Sequence, residues 1–157
     1  MTRRGTLTLA AVFVAAMVLI AVIGPLVYAD ECTFEHGVFL SRMVAGPACD
    51  GVLCTKGFLL GTLKGIHRFT LTENLGVPPV VPFAGESHFK TTEGEFFGAD
   101  EGTMNLKTGE LITQTTIVTD TGTGAFINAS GTIAASAAVD FALGTVRGTY
   151  AGEICTP

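Results

Sequence analysis

From Thr33 onward, short apolar or Thr-rich runs alternate with Gly, Pro, Asn and Asp, and no stretch keeps a helical period beyond two turns. Runs of that length, punctuated by turn residues, predict a meander of strands. Nine segments fit, at 33–41, 57–71, 86–92, 95–99, 102–106, 110–119, 124–128, 131–141 and 144–155, giving eight or nine strands. Between them, Asn105-Leu106-Lys107-Thr108-Gly109, Asp120-Thr121-Gly122-Thr123-Gly124 and Leu143-Gly144 are tight, Gly-bearing connections suited to antiparallel neighbours. Pro78-Pro79 with Pro82 marks a stretch unable to pair centrally in a sheet, and reads as a loop across one end.

Period-two alternation assigns the faces. In 131–141 the odd positions Ile133, Ala135, Ala137, Val139 and Phe141 are apolar, while Thr132, Ser136 and Asp140 share the other side. In the last segment Val146, Tyr150 and Ile154 point one way with Gly148 and Gly152 between them, and Thr145, Arg147, Thr149 and Glu153 the other. Glycine alternating with large residues suits a tightly curved sheet. Closing that sheet into a barrel also removes exposed edges.

The N-terminus follows a different pattern. Arg3 and Arg4 precede a charge-free apolar run from Leu9 to Ala29, which ends in Gly24-Pro25-Leu26-Val27-Tyr28-Ala29 before Asp30 and Glu31. This is the layout of a secretory signal peptide, with cleavage expected after Ala29. The alternative is an uncleaved anchor, because 21 residues at 1.5 Å rise reach about 30 Å. The Gly24-Pro25 helix breaker favours cleavage. Residues 1–29 are thus expected to be an export signal and residues 30–157 a single domain outside the cytoplasm.

Composition agrees with that division. Of the 157 residues, 48% are hydrophobic, but the apolar run supplies much of this total. Residues 30–157 carry all 14 acidic side chains against seven basic ones, a formal charge of −7, with 18 Gly and 19 Thr. An acidic chain without clustered Lys and Arg argues against nucleic-acid binding through phosphates. The Gly and Thr content, with little of what helices favour, points to an all-β domain.

Cys32, Cys49, Cys54 and Cys155 all follow the expected cleavage site, and an even number in an exported chain reads as disulfides. Three pairings are possible. The favoured one joins Cys32 to Cys155, stapling the two ends, and Cys49 to Cys54 across a short loop. A Cys-x4-Cys spacing with no neighbouring His does not match a metal knuckle, so no metal is expected.

Thr121-Gly-Thr-Gly-Ala-Phe-Ile-Asn-Ala-Ser-Gly-Thr-Ile133, followed by Gly144-Thr-Val-Arg-Gly-Thr-Tyr-Ala-Gly-Glu-Ile154, resembles the Gly-rich signature of bacterial secreted proteins with an allene oxide cyclase-like barrel, relatives of plant dirigent proteins. The stretches 57–72 and 95–112 fit the same pattern more loosely, and Thr121 stands where the signature has its first Gly. The resemblance implies an eight-stranded antiparallel barrel with an apolar lumen, and association into dimers or trimers. No motif here matches the family's pocket positions, so no catalytic residue carries over.

Candidate chemistry is sparse. Alternation groups His36 with Phe34, Val38 and Leu40, and His67 with Leu63, Phe69 and Leu71, so both imidazoles are expected to point into the barrel. With Glu95 and Tyr150 they would supply a few convergent polar groups to a cavity lined by Phe and Leu, the usual composition of a small-molecule site. A buried His is also commonly a core residue hydrogen-bonded to a neighbour. Glu95, flanked by Phe96 and Phe97, has no clear facing, and His88 and Arg147 fall on polar faces. No nucleophile elbow, phosphate loop or His-x3-His pair is present, and no cofactor is expected.

The favoured reading is an exported barrel that binds a small apolar or amphipathic ligand in its lumen. A cell-surface structural or interaction module, binding through its Thr-rich outside or an oligomer interface, is the next, and a cyclase-like or dirigent-like enzyme using Glu95 or a His as general acid or base is the third.

Overall fold

The computed structural model describes residues 30–45, 49, 51–74 and 76–157. The expected export signal, 1–29, lies outside the described residues. Eight strands, β1 Glu31–Val44, β2 Leu53–Gly61, β3 Gly65–Asn74, β4 Val80–Thr91, β5 Glu95–Asn105, β6 Glu110–Ile117, β7 Ser130–Asp140 and β8 Thr145–Thr156, follow one another up and down. Each pairs antiparallel with its sequence neighbours, and β8 returns to β1, closing the barrel. The described residues are all-β, as the Gly- and Thr-rich alternation predicts, with one 3-10 turn among them at Gly124–Phe126.

Four boundaries differ from the sequence expectation. The segment 57–71 is not one strand but the hairpin β2–β3, because Gly61 takes φ +145° and reverses the chain. The segments 95–99 and 102–106 fuse into the single strand β5. The segment 124–128 is the 3-10 turn rather than a strand. Pro82 sits inside β4, where β5 pairs with it through Thr103, while β3 reaches only as far as Phe83. Its missing N–H therefore faces a side with no partner strand.

Two layers of apolar side chains fill the interior. At the end holding the β2–β3 and β4–β5 turns, Leu59, Leu63, Phe89, Phe96, Ile117, Phe126, Ala129, Ile133, Tyr150 and Ile154 pack together. Phe96 stacks on Phe89 at 4.6 Å between ring centroids and lies 4.8 Å from Phe126. The 3-10 turn drops Phe126 onto this end, held by Ala125 N–H donating to Glu93 O at 2.9 Å and Thr123 N–H donating to Glu95 O at 2.8 Å. Toward the opposite end, Leu71, Phe83, Met104, Leu111, Val139 and Val146 form the second layer.

Both expected disulfides are formed, Cys32 to Cys155 and Cys49 to Cys54. The first links β1 to β8 between directly paired residues, at the seam where the barrel closes. Two disulfides are the chemistry of an oxidising compartment. Among the described residues no helix is long and apolar enough to cross a membrane.

Candidate functional site

Between the two apolar layers lies a cavity of about 70 Å³, its walls built largely of Phe39, Phe69, Phe83, Met104, Leu111 and Val139. A cavity for one water needs only roughly 10–15 Å³ on a comparable measure, so this space exceeds a single buried water. At Gly148 the wall is packed too closely for a side chain: a Cβ there would come within 2.4 Å of Ser136 O and 2.7 Å of both the Ala137 Cβ and the Phe39 ring.

One wall is polar. On β5 the inward face reads Phe96, Gly98, Asp100, Gly102, Met104, placing a carboxylate in the lumen at 1% exposure. Ser87 on β4 donates from Oγ to Asp100 Oδ2 at 2.6 Å. On the other side, Thr115 Oγ1 of β6 donates to Asp100 Oδ1. His67 on β3 completes the chain, its Nε2 lying 2.9 Å from Ser87 Oγ. Its ring lies 4.8 Å from that of Phe89 and 6.1 Å from that of Phe39. Thr115, Asp100, Ser87 and His67 therefore form one row across three strand pairings, and all four line the cavity.

Proton positions follow from the acceptors. An ionised carboxylate only accepts, so Ser87 and Thr115 both spend their hydrogens on Asp100. Ser87 Oγ can then only accept from His67, which fixes the neutral imidazole with its hydrogen on Nε2. Nδ1 is left as a buried acceptor without a partner. Burial lowers the His67 pKa to about 4, with His88 adding a smaller push, so the ring stays neutral. Burial raises Asp100 to about 6 against the opposing hydrogen bonds from Ser87 and Thr115, and Glu86 adds to the rise.

This ordering is not a nucleophilic triad. In such a triad the His takes the Ser proton and a carboxylate orients the His. Here Ser87 lies between the other two, and its proton is committed to Asp100. The arrangement suits recognition through a hydrogen bond at the lumen wall.

Of the four lumen candidates read from sequence, His67 and Tyr150 line the cavity and two do not. Tyr150 is 4% exposed, but its hydroxyl is already used: it donates to Leu63 O at 3.0 Å and accepts from Leu63 N–H at 3.1 Å. Only its ring is left for the cavity. His36 is on the outer face, stacked on Phe34 at 5.8 Å, because Gly37, Phe39 and Ser41 take the inward positions of β1. Glu95 is also outside, bound to His88 Nε2 at 2.9 Å and to Lys90 Nζ, and these two bonds hold its carboxyl below the usual range. Cys32 and Cys155 gather with Glu153, but their sulfurs are bonded to each other and are not thiolates free to ligate a metal.

Sequence reasoning missed Asp100, Ser87 and Thr115. The signal was available for Asp100 and Ser87, each the one polar residue on an otherwise apolar or glycine inward face, whereas Thr115 shares the inward face of β6 with Thr113.

No family model and no curated protein matches the chain. Among solved structures it is similar to a pterocarpan synthase dirigent protein, at 20% identity over 85% of this chain and 94% of that one, with a TM-score of 0.48.

Proposed function

We propose that this is an exported barrel that takes a small apolar or amphipathic ligand into its lumen, with residues 1–29 serving as the export signal. The observation that carries the reading is the cavity itself: apolar walls with one hydrogen-bonded polar row. That is the composition of small-molecule sites, where apolar area supplies affinity and a few polar atoms fix orientation. At about 70 Å³, the space suits a compact ring or short chain. Titration of the protein with benzene, followed by methyl NMR, tests it. Met104, Leu111 and Val139 should shift in the wild type, and Ala135→Leu, which adds bulk to the cavity wall, should abolish the shifts. A folded wild type whose lumen methyls do not move would overturn the reading.

A second reading, self-association, rests on the outer face. Phe34, Val38, Leu40, Phe58 and Leu60 form an exposed apolar patch across β1 and β2, with Leu40 paired to Phe58 and Val38 to Leu60. Such patches mark interaction sites. Glu153 flanks Phe34 at one end, and Arg42 and Lys56 lie at the other. A second copy related by a two-fold axis would therefore bring opposite charges together. Light scattering after size-exclusion chromatography should report an oligomer that Phe58→Asp dissociates. A wild type that is monomeric throughout would remove this reading.

A further inference from the structure

His67 Nδ1 is a buried polar atom in a lumen-lining residue, and it is left over after every other hydrogen bond of the row is assigned. A buried acceptor without a partner costs free energy, and a ligand that donates to it recovers that cost. The same row makes the character of Nδ1 depend on a proton held elsewhere. With Asp100 ionised, hydrogens run from His67 Nε2 to Ser87 and from Ser87 to Asp100, so Nδ1 accepts. If one proton enters from the lumen at Nδ1, the Nε2 proton passes to Ser87 Oγ and the Ser87 hydroxyl proton passes to Asp100 Oδ2. The row has then gained one proton, now the Asp100 O–H. That hydroxyl donates to Ser87, Ser87 donates to His67 Nε2, and Nδ1 carries a hydrogen.

We propose that the lumen selects a compact apolar ligand by one hydrogen bond at His67 Nδ1, and that the proton on Asp100, relayed through Ser87, sets whether that atom accepts or donates. The ligand class is an apolar molecule with a single hydrogen-bond donor when Asp100 is ionised, and one with a single acceptor when it is protonated. This rests on the lumen-binding reading above.

The surroundings suit a reversible switch. β6 and β7 present only hydroxyl and alkyl groups to the cavity, and β8 presents Val146 and Tyr150, whose hydroxyl is held by Leu63. The remaining charged or titratable neighbours stand outside the wall: Lys56 on β2, Arg68 on β3, Glu86 and His88 on β4, and Glu101 on β5. The raised Asp100 carboxyl brings its titration toward neutral pH, while His67 remains neutral over the same range.

Pyrrole and furan test the inference, being five-membered rings of similar size, one a donor and the other an acceptor. Protein purified from an exporting host and labelled with 15N at its three histidines would be titrated with each ring near pH 8 and near pH 5, either side of the Asp100 transition. Imidazole 15N shifts report which nitrogen of His67 is protonated, whether or not a ring binds. The expected result is an Nε2–H tautomer and at least about fivefold preference for pyrrole at the higher pH, one hydrogen bond's worth. At the lower pH the tautomer becomes Nδ1–H and the preference is lost or reversed. In Asp100→Asn, or in Ser87→Ala should the first not fold, the tautomer should no longer change with pH. Binding of both rings with one unchanging preference, or a tautomer that stays fixed in the wild type, overturns this inference and leaves lumen binding standing. Failure of both rings to bind at either pH overturns both.

Discussion

At the scale of single residues, the barrel's interior depends on a few polar atoms with fixed partners. The Tyr150 hydroxyl satisfies both the N–H and the C=O of Leu63, a residue only 3% exposed. Tyr150→Phe would leave both groups buried and unpaired, and should destabilise the fold by about 2–3 kcal/mol, read as a shift in urea midpoint at unchanged m-value. Asp100 and His67 make opposite contributions to the pH dependence of stability. Asp100 has its folded pKa raised to about 6 from 3.8, so the folded state holds the proton more tightly and stability falls as pH rises from about 4 to about 6. His67 has its folded pKa lowered to about 4 from 6.5, so the unfolded state holds the proton more tightly and stability rises across nearly the same window. Each amounts to about 3 kcal/mol at 1.36 kcal/mol per pKa unit, and on this account they nearly cancel. Wild-type stability should therefore be flat in this window as far as this pair is concerned. His67→Gln should become less stable on going from pH 4 to 6, and Asp100→Asn more stable. The slopes of denaturation midpoint against pH measure both, and like-signed slopes in the two variants would contradict the assignment.

At the scale of elements, strand content and the inward faces of β7 and β8 were legible because their two sides differ sharply. Ile133, Val139, Val146, Tyr150 and Ile154 are all buried, whereas Phe141, on the same alternation, falls past the end of β7 and is exposed. β1 misled because its outer face is the more apolar one. Gly37 and Ser41 are small where the Tyr150 hydroxyl and the β2 backbone approach, whereas Phe34, Val38 and Leu40 face outward. Alternation identifies two faces but not which one is inside when an exposed patch outcompetes the core side in hydrophobicity. β5 misled for a related reason: Asp100-Glu101 reads as a turn between two short strands, yet Asp100 points inward to the polar row. The 124–128 stretch misled because Phe126 and Ile127 are residue types that favour strands, while Gly124 takes φ +62°. That glycine lies against the β4–β5 turn, and a Cβ would strike the Glu93 carbonyl oxygen. Gly124→Ala should therefore cost more than about 1 kcal/mol through both strain and collision. It should also raise amide exchange at Ala125, whose N–H is held by Glu93. An unchanged exchange rate would mean the turn is not anchored there.

At the scale of the whole molecule, closure is what the separate features have in common. An antiparallel meander pairs each strand with its sequence neighbours at small loop cost, but the β1–β8 seam joins the two ends of the domain and must order nearly everything between them. Cys32–Cys155 sits on that seam, with a sequence separation of 123, while Cys49–Cys54 spans only 5. If disulfides act mainly by restricting the unfolded chain, the seam bridge contributes about 5 kcal/mol and the short one about 2. Replacing Cys32 and Cys155 by Ser should therefore lower stability more than replacing Cys49 and Cys54. Loss of the seam bridge should also act chiefly by slowing folding, since the unbridged chain must find its longest-range pairing unaided. Denaturant chevrons of the two double variants measure both effects together. Equal losses, or a seam variant altered only in its unfolding arm, would mean that local packing at the two sites, and not the length of chain each bridge closes, determines what the disulfides contribute.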